Sequence, residues 1–412
     1  MPSMETAEAN YAKGRFIYDA DSHIVEWPNW LRDYATPTMR DRIPLAWTAN
    51  DYAHLLREAG VDPATGEKAF EALEEVHSSS EFRSKALENV MLQKQLNAIG
   101  AFRIADRSVA LNQMGFRAQL VFNTFSNQLL QEAEASGDMV LIREMSRAHN
   151  RAITDFCRGD RRLLATGYVP LSDLEEAAAI AKEAIDLGCR ALIVASAVAP
   201  KTSPTHIALD PVWAIASEAR VPIVFHVGGT GEVLHPSFKN NGRERTPDFR
   251  GGEGAMMSLR VLALPNPAKA FLSAMVIDGV LMSYPNLMIG VFELGCSWIP
   301  SLLRELDAVA RGFKSEPRIV KLALKPSEYI LRQVRVTAYP YEDVSWVMDQ
   351  SSDSICMFSS DYPHHEGGRD PLSRFDSWLK DAGPERLKKF YAGNFAEFIG
   401  GNLPGEAEAA AA

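Results

Sequence analysis

Residues 16–27 read Phe-Ile-Tyr-Asp-Ala-Asp-Ser-His-Ile-Val-Glu-Trp. An apolar, β-prone start is followed by Asp19, Asp21, His23 and Glu26 within eight positions. On an extended strand residues i, i+2 and i+4 share a face, so Asp19, Asp21 and His23 are expected to project together. Three ionisable groups where a strand ends suit the first wall of a metal site. They equally suit a strand-end turn whose carboxylates cap the next segment and whose histidine is only hydrogen-bonded. The choice depends on what the rest of the chain brings to the same place.

Residues 28–115 carry no convincing strand pattern. Helical periodicity near 51–59, 67–77 and 80–100 predicts a helical insertion after the first strand. From residue 117 a rhythm begins. Strands are expected at 118–123, 163–169, 189–195, 221–227, 287–293, 335–338 and 355–360, alternating with helices at 137–159, 172–187, 210–219, up to 283, and 298–312. Runs such as Leu192-Ile193-Val194 are apolar on both faces, which is the signature of parallel strands covered by helices. Eight βα units in one chain predict an α/β protein of the TIM-type (β/α)8 barrel class, with a helical insertion after the first strand. A doubly wound open sheet is the competing architecture. A nucleotide-binding one would show a GxGxxG or GxxxxGK[ST] fingerprint, and the sequence has neither. The expected organisation is a flexible N-terminus at 1–15, one barrel domain at 16–400 and a disordered tail at 401–412.

The chain has 412 residues, 46% hydrophobic and 23% charged, with a net charge of −10. That balance fits a globular protein and opposes a phosphate-binding surface, so nucleic acid is not an expected partner. No apolar run approaches the roughly 20 residues of a membrane span, and the first residues lack the apolar core of a secretory signal. The four cysteines, Cys157, Cys189, Cys296 and Cys356, form no CxxC pair and sit among apolar residues. Reduced, buried thiols and a cytoplasmic location are expected from them.

In a barrel the C-terminal strand ends build the active site. The first strand brings Asp21 and His23, with Glu26 just beyond, and the fifth brings His226. The sixth ends at Glu293, and the eighth is followed by Asp361, His364, His365 and Glu366. Taken singly, His226 could be a core histidine, Glu293 the partner of a structural arginine and Asp361 a turn cap. Their meeting at one rim favours a metal. Imidazoles with carboxylates suit zinc, manganese or iron, which activate water and polarise a substrate oxygen.

These motifs resemble the amidohydrolase superfamily. The nearest branch holds aminocarboxymuconate-semialdehyde decarboxylase and the resorcylate-type decarboxylases. The carrying stretches are DADSH at 19–23, LDPVWAIASEARVPIVFHVGG at 209–229, ELGCSWIPSLLRELD at 293–307, SSDYPH at 359–364 and GNFAEFIG at 393–400. The resemblance implies a distorted barrel with a divalent metal at its C-terminal face. It assigns His23 and His226 as ligands and Asp361 as ligand or base. Two positions depart from the family pattern. Asp21 stands where relatives carry the first histidine of HxH, and Glu293 where decarboxylases carry a sixth-strand histidine. With Glu26 and His365 added, the ligand set becomes Asp21, His23, Glu26, His226, Glu293, Asp361 and His365, more than one tetrahedral zinc needs.

The set therefore suits one ion or two, and Glu293 and Asp361 are the expected catalytic groups. Arg245, Trp298 and His364 are expected to meet the substrate, with Arg243 and Arg250 in the same loop. Trp27 and Phe125 are candidate apolar walls. The expected function is hydrolysis or non-oxidative decarboxylation of a small carboxylic acid or lactone by a metal-activated water. One alternative is a dinuclear iron or manganese/iron oxygenase, resembling the two-subunit isobutyrate hydroxylase. Another is a non-catalytic structural subunit. Expected partners are a small-molecule substrate and either a second copy of the chain or a paralogous one, with no membrane and no nucleic acid.

Overall fold

The computed structural model describes residues 10–196, 202–228, 233–240, 242 and 258–405. Its centre is one sheet of eight parallel strands in sequence order: β1 Tyr18–Ile24, β2 Ala118–Asn123, β3 Leu163–Tyr168, β4 Ala191–Ile193, β5 Ile223–His226, β6 Ile289–Phe292, β7 Val334–Thr337 and β8 Cys356–Met357. Every residue in these strands is buried, as a sheet covered on both sides requires. Helices alternate with the strands, so the protein is a distorted TIM-type barrel. The strands from β4 on are shorter than their apolar runs predict. Past the last ladder pair the chain stays buried, and single backbone bonds such as Val194 N–H to Val224 O at 3.0 Å continue the contact.

Closure occurs beyond β8. Ala20 N–H donates to Phe358 O at 3.0 Å, Asp361 N–H to Asp21 O at 2.9 Å and His23 N–H to Tyr362 O at 2.7 Å. Between Asp19 and Ser22 the β1–β2 register slips, which marks a bulge. The bulge breaks the expected alternation, and Asp19 leaves the company of Asp21 and His23. Its carboxylate instead accepts from Ser360 N–H at 2.7 Å, Ser360 Oγ at 2.6 Å and Gln119 Nε2 at 2.6 Å. Asp19 thus fastens β1 to β2 and to the segment after β8.

The insertion is helical as expected, with helices Ala53–Glu58, Ala69–Ser78, Ser80–Glu88 and Ile104–Met114. The helix expected over 80–100 stops at Glu88, and the chain then runs irregularly to a short turn at Gln95–Asn97. Helix Ser126–Ser136 was not expected and precedes the predicted helix, now Met139–Cys157. The first and last described residues pack against the barrel. Ala12 is buried, Tyr11 Oη donates to Asp370 at 2.7 Å, Leu403 is buried and Arg190 donates to Gly401 O at 2.6 Å. Among the described residues no helix is long and apolar enough to cross a membrane. All four cysteines are free and buried.

Candidate metal centre

At the C-terminal rim the structure gathers potential ligand atoms from β1, β5, β6 and the loop after β8. They form two overlapping groups: His23, Glu293, Asp361 and His364; and Asp21, His23 and His226. His23 Nε2 lies 3.3 Å from both Asp21 Oδ1 and Asp361 Oδ1. His226 Nε2 lies 3.4 Å from Asp21 Oδ1 and 3.6 Å from Glu293 Oε2. His364 Nδ1 is 3.3 Å from Asp361 Oδ1, and its ring stacks on His23 at 3.7 Å between centroids.

Each imidazole is held by its other nitrogen. His23 Nδ1 meets Asn123 O at 3.1 Å and His226 Nδ1 meets Val227 O at 3.0 Å. A carbonyl only accepts, so both Nδ1 atoms carry a proton and both Nε2 atoms turn inward. For His364 the roles are reversed. Thr124 donates its single hydroxyl proton to Ile24 O at 2.7 Å, so its oxygen accepts from His364 Nε2 at 2.9 Å. The Nδ1 lone pair then points at Asp361. This back-side anchoring is how metal-binding histidines are usually fixed.

Asp361 and Glu293 end their segments at φ 52° and 51°, a left-handed conformation that costs energy in a residue with a side chain. Backbone bonds hold both. Tyr339 Oη donates to Glu293 O at 2.6 Å, Glu293 N–H donates to Thr337 Oγ1 at 3.0 Å, and His364 N–H donates to Asp361 O at 2.7 Å. The next turn folds tightly over Asp361. A Cβ on Gly367 would sit 2.0 Å from Ser360 O, so only glycine fits there.

The donor set fits a divalent ion. His23 Nε2 and both oxygens of Asp361 are buried with no hydrogen-bond partner among the described residues, which is costly unless something binds them. The electrostatics agree. Burial pulls the His23 imidazole down, but the carboxylates of Asp21 and Asp361 outweigh it and raise it to about 10. Burial raises Glu293 well above the ordinary carboxylate range, and the charges of Asp361, Glu366 and Asp21 add to this. Burial also pushes Asp21 up, yet the neighbouring His226 and His23 bring it below the usual value. A cation at this point would relieve the crowding of carboxylates.

Of the residues expected from sequence, Asp21, His23, His226, Glu293 and Asp361 converge. Glu26 does not join them. Its buried carboxylate accepts from the N–H groups of Thr124 (2.9 Å), Phe125 (3.0 Å) and Ser126 (2.9 Å), and from Ser126 Oγ. His364, expected at the substrate, lies inside the cluster, whereas His365, expected as a ligand, is half-buried and in neither group. Their adjacency hides this, because the bend at Asp361 decides which of the two turns in. Trp298 spends its indole N–H on Leu294 O and Gly295 O at 3.2 and 2.8 Å, capping its own turn. Trp27 Nε1 is likewise held by Asp33 at 2.8 Å, and Phe125 packs on Tyr52 at 4.5 Å. Arg243, Arg245 and Arg250 lie outside the described residues. A small cleft adjoins the cluster, with Asp21, Glu293, Asp361, Tyr339 and Glu366 in its wall. Sequence reasoning did not single out Thr124 or Tyr339. Each matters only through loops that cross, and no local spacing signals that.

The family model described as Amidohydrolase matches residues 18–400, and the chain belongs to that family. Solved structures share the fold. An amidohydrolase from Mycobacterium avium subsp. paratuberculosis K-10 is 19% identical with a TM-score of 0.69, covering 93% of this chain and 99% of its own. The 5-carboxyvanillate decarboxylase of Novosphingobium aromaticivorans DSM 12444, with bound manganese and a nitrobenzoic acid, is 16% identical with a TM-score of 0.62, covering 94% and 97%. A dihydroxybenzoic acid decarboxylase from Polaromonas sp. JS666, with manganese and 2-nitroresorcinol, is 13% identical with a TM-score of 0.59, covering 94% and 97%. A comparison with curated proteins finds no match.

Proposed function

We propose that this chain is a divalent-metal-dependent carboxy-lyase acting on a small carboxylic acid. The supporting observation is the convergence of buried donors at the barrel rim, with His23 Nε2 and both Asp361 oxygens unpartnered among the described residues. The fold relatives named as decarboxylases, crystallised with manganese, point the same way. Asp21, His23, His226, Asp361 and His364 would hold the ion, with Glu293 at its edge. When bound, such an ion polarises a substrate oxygen and lowers the pKa of a coordinated water to about 7. The chain's own groups do the rest. Buried Glu293 keeps a proton at the cleft wall. As the bond to the carboxylate carbon breaks, the electron pair stays on the carbon left behind, and Glu293 supplies that carbon with its proton. Carbon dioxide departs. Hydrolysis of a lactone would use the same carboxyl with the proton moving the other way.

A second reading has its own support. The two donor groups share His23 and hold six residues between them, which suits two ions better than one tetrahedral zinc. A dinuclear iron or manganese/iron oxygenase would use that set. Metal analysis of protein purified without added metal, together with carbon dioxide release from dihydroxybenzoates, separates the readings. Carbon dioxide release that disappears in His226→Ala, along with the metal and with the fold intact, is expected. Two ions with iron- and reductant-dependent oxygen uptake instead would favour the oxygenase. Unchanged metal content in His226→Ala would refute the site.

A further inference from the structure

One short segment stands behind the imidazoles of the metal cluster. It is Asn123–Asn127, where β2 ends and helix Ser126–Ser136 begins. Asn123 O receives His23 Nδ1 at 3.1 Å, and Thr124 Oγ1 receives His364 Nε2 at 2.9 Å. The link to His226 is indirect and runs through Asn127. Asn127 Nδ2 donates to Val227 O at 3.0 Å, the same oxygen that receives His226 Nδ1 at 3.0 Å. Asn127 is buried, and its Oδ1 accepts from Gln131 Nε2 at 3.2 Å, one turn along the helix. A carbonyl only accepts, so the Asn127 amide must turn its NH2 to Val227, and its orientation is settled at both ends.

Val227 O has little else to hold it. The β5–β6 ladder ends at the pair His226–Phe292, and no backbone donor among the described residues reaches Val227 O. Gly228 follows at φ 116°, where the chain turns away from the strand. A Cβ on Gly228 would lie 2.9 Å from Asn127 Nδ2, so the helix start is pressed against this turn. A carbonyl oxygen has two lone pairs, and two donors fix a direction that one donor leaves free to tilt. That direction sets the plane of the His226 ring, which packs edge-on against His23 at 4.9 Å between centroids. We propose that Asn127 is a positioning residue of the metal centre. By holding Val227 O it aims His226 Nε2 at the ion, and it completes a single segment that orients His23, His226 and His364 together. The inference rests on the metal reading.

The test uses full-length protein. Manganese affinity is measured by chelator competition, and the His226 ring is followed in metal-free protein by NMR of isotope-labelled histidine. The variants are Asn127→Leu and Asn127→Ala. Gln131→Leu is the control, because it removes the bond on the helix side and keeps the donor to Val227 O. Both Asn127 variants are expected to bind manganese about ten-fold more weakly. The His226 Nδ1–H, assigned by its absence from His226→Ala, is expected to lose its protection from exchange in both. Gln131→Leu is expected to stay close to wild type in both measurements. Unchanged affinity in the Asn127 variants overturns the proposal, and so does an unchanged Nδ1–H. An equal loss of affinity in Gln131→Leu also overturns it, since that would mark a general loosening of the helix. Wild-type protein that takes up no manganese removes the metal reading and the proposal with it. A His226 Nδ1–H that still answers to Asn127 would then show that the contact is real and the metal is not.

Discussion

A single hydroxyl proton sets the chemistry of one corner of the site. Thr124 gives it to Ile24 O, and the His364 tautomer follows. Thr124→Val leaves the Nε2–H of His364 without an acceptor, and manganese affinity is expected to fall about 10- to 100-fold by chelator competition. Thr124→Ser restores it, because the serine hydroxyl makes the same bond. A purely steric role for the side chain would be indifferent to the hydroxyl, and serine would then fail to rescue. At this scale the sequence was informative wherever a residue ends a barrel strand. Asp21, His23, His226, Glu293 and Asp361 are legible because the fold class alone carries them to one rim. His364 against His365 was not legible, since a left-handed backbone at Asp361 makes the selection. Thr124 depends on a contact between segments 240 positions apart.

At the scale of elements, helix Ser126–Ser136 is the instructive case. No side chain of its own caps its start. Glu26, a hundred positions earlier, accepts the N–H groups there, and its negative charge suits the positive end of the helix. A cap so distant in sequence leaves no local start signal, which is why the helix escapes a periodicity reading. Glu26→Gln is expected to cost about 2 kcal/mol in urea unfolding, since it weakens charge-assisted bonds while keeping the shape. Metal content should stay the same. Metal loss in Glu26→Gln with stability intact would return Glu26 to the ligand set. The bulge in β1 has a similar lesson. Strict alternation put Asp19 beside Asp21, and one extra residue in the strand sent it to Ser360 and Gln119 instead.

The whole molecule carries two buried histidines remote from the metal donors. His77 Nε2 meets Leu96 O at 2.8 Å and His149 Nε2 meets Thr166 O at 3.1 Å. Burial lowers both to about 4 from the usual 6.5. Between pH 6.5 and 4 the unfolded chain therefore binds protons that the folded chain refuses. Their contribution is intact above pH 6.5 and drains away as pH falls toward 4, by up to about 3 kcal/mol each. His149→Gln should shrink the stability difference between pH 7 and pH 5 in denaturant titrations, and an unchanged difference would refute the assignment. The barrel itself was legible from the count and order of apolar runs. Its closure was not, since the seam runs through residues beyond β8. That seam has an evolutionary consequence. The backbone bonds of Ala20, His23 and Asp361 that shut the barrel come from the same short segments that present the metal donors. Drift there would damage folding and chemistry at once, so new substrate preferences are expected to arise away from the seam, in segments such as the helical insertion.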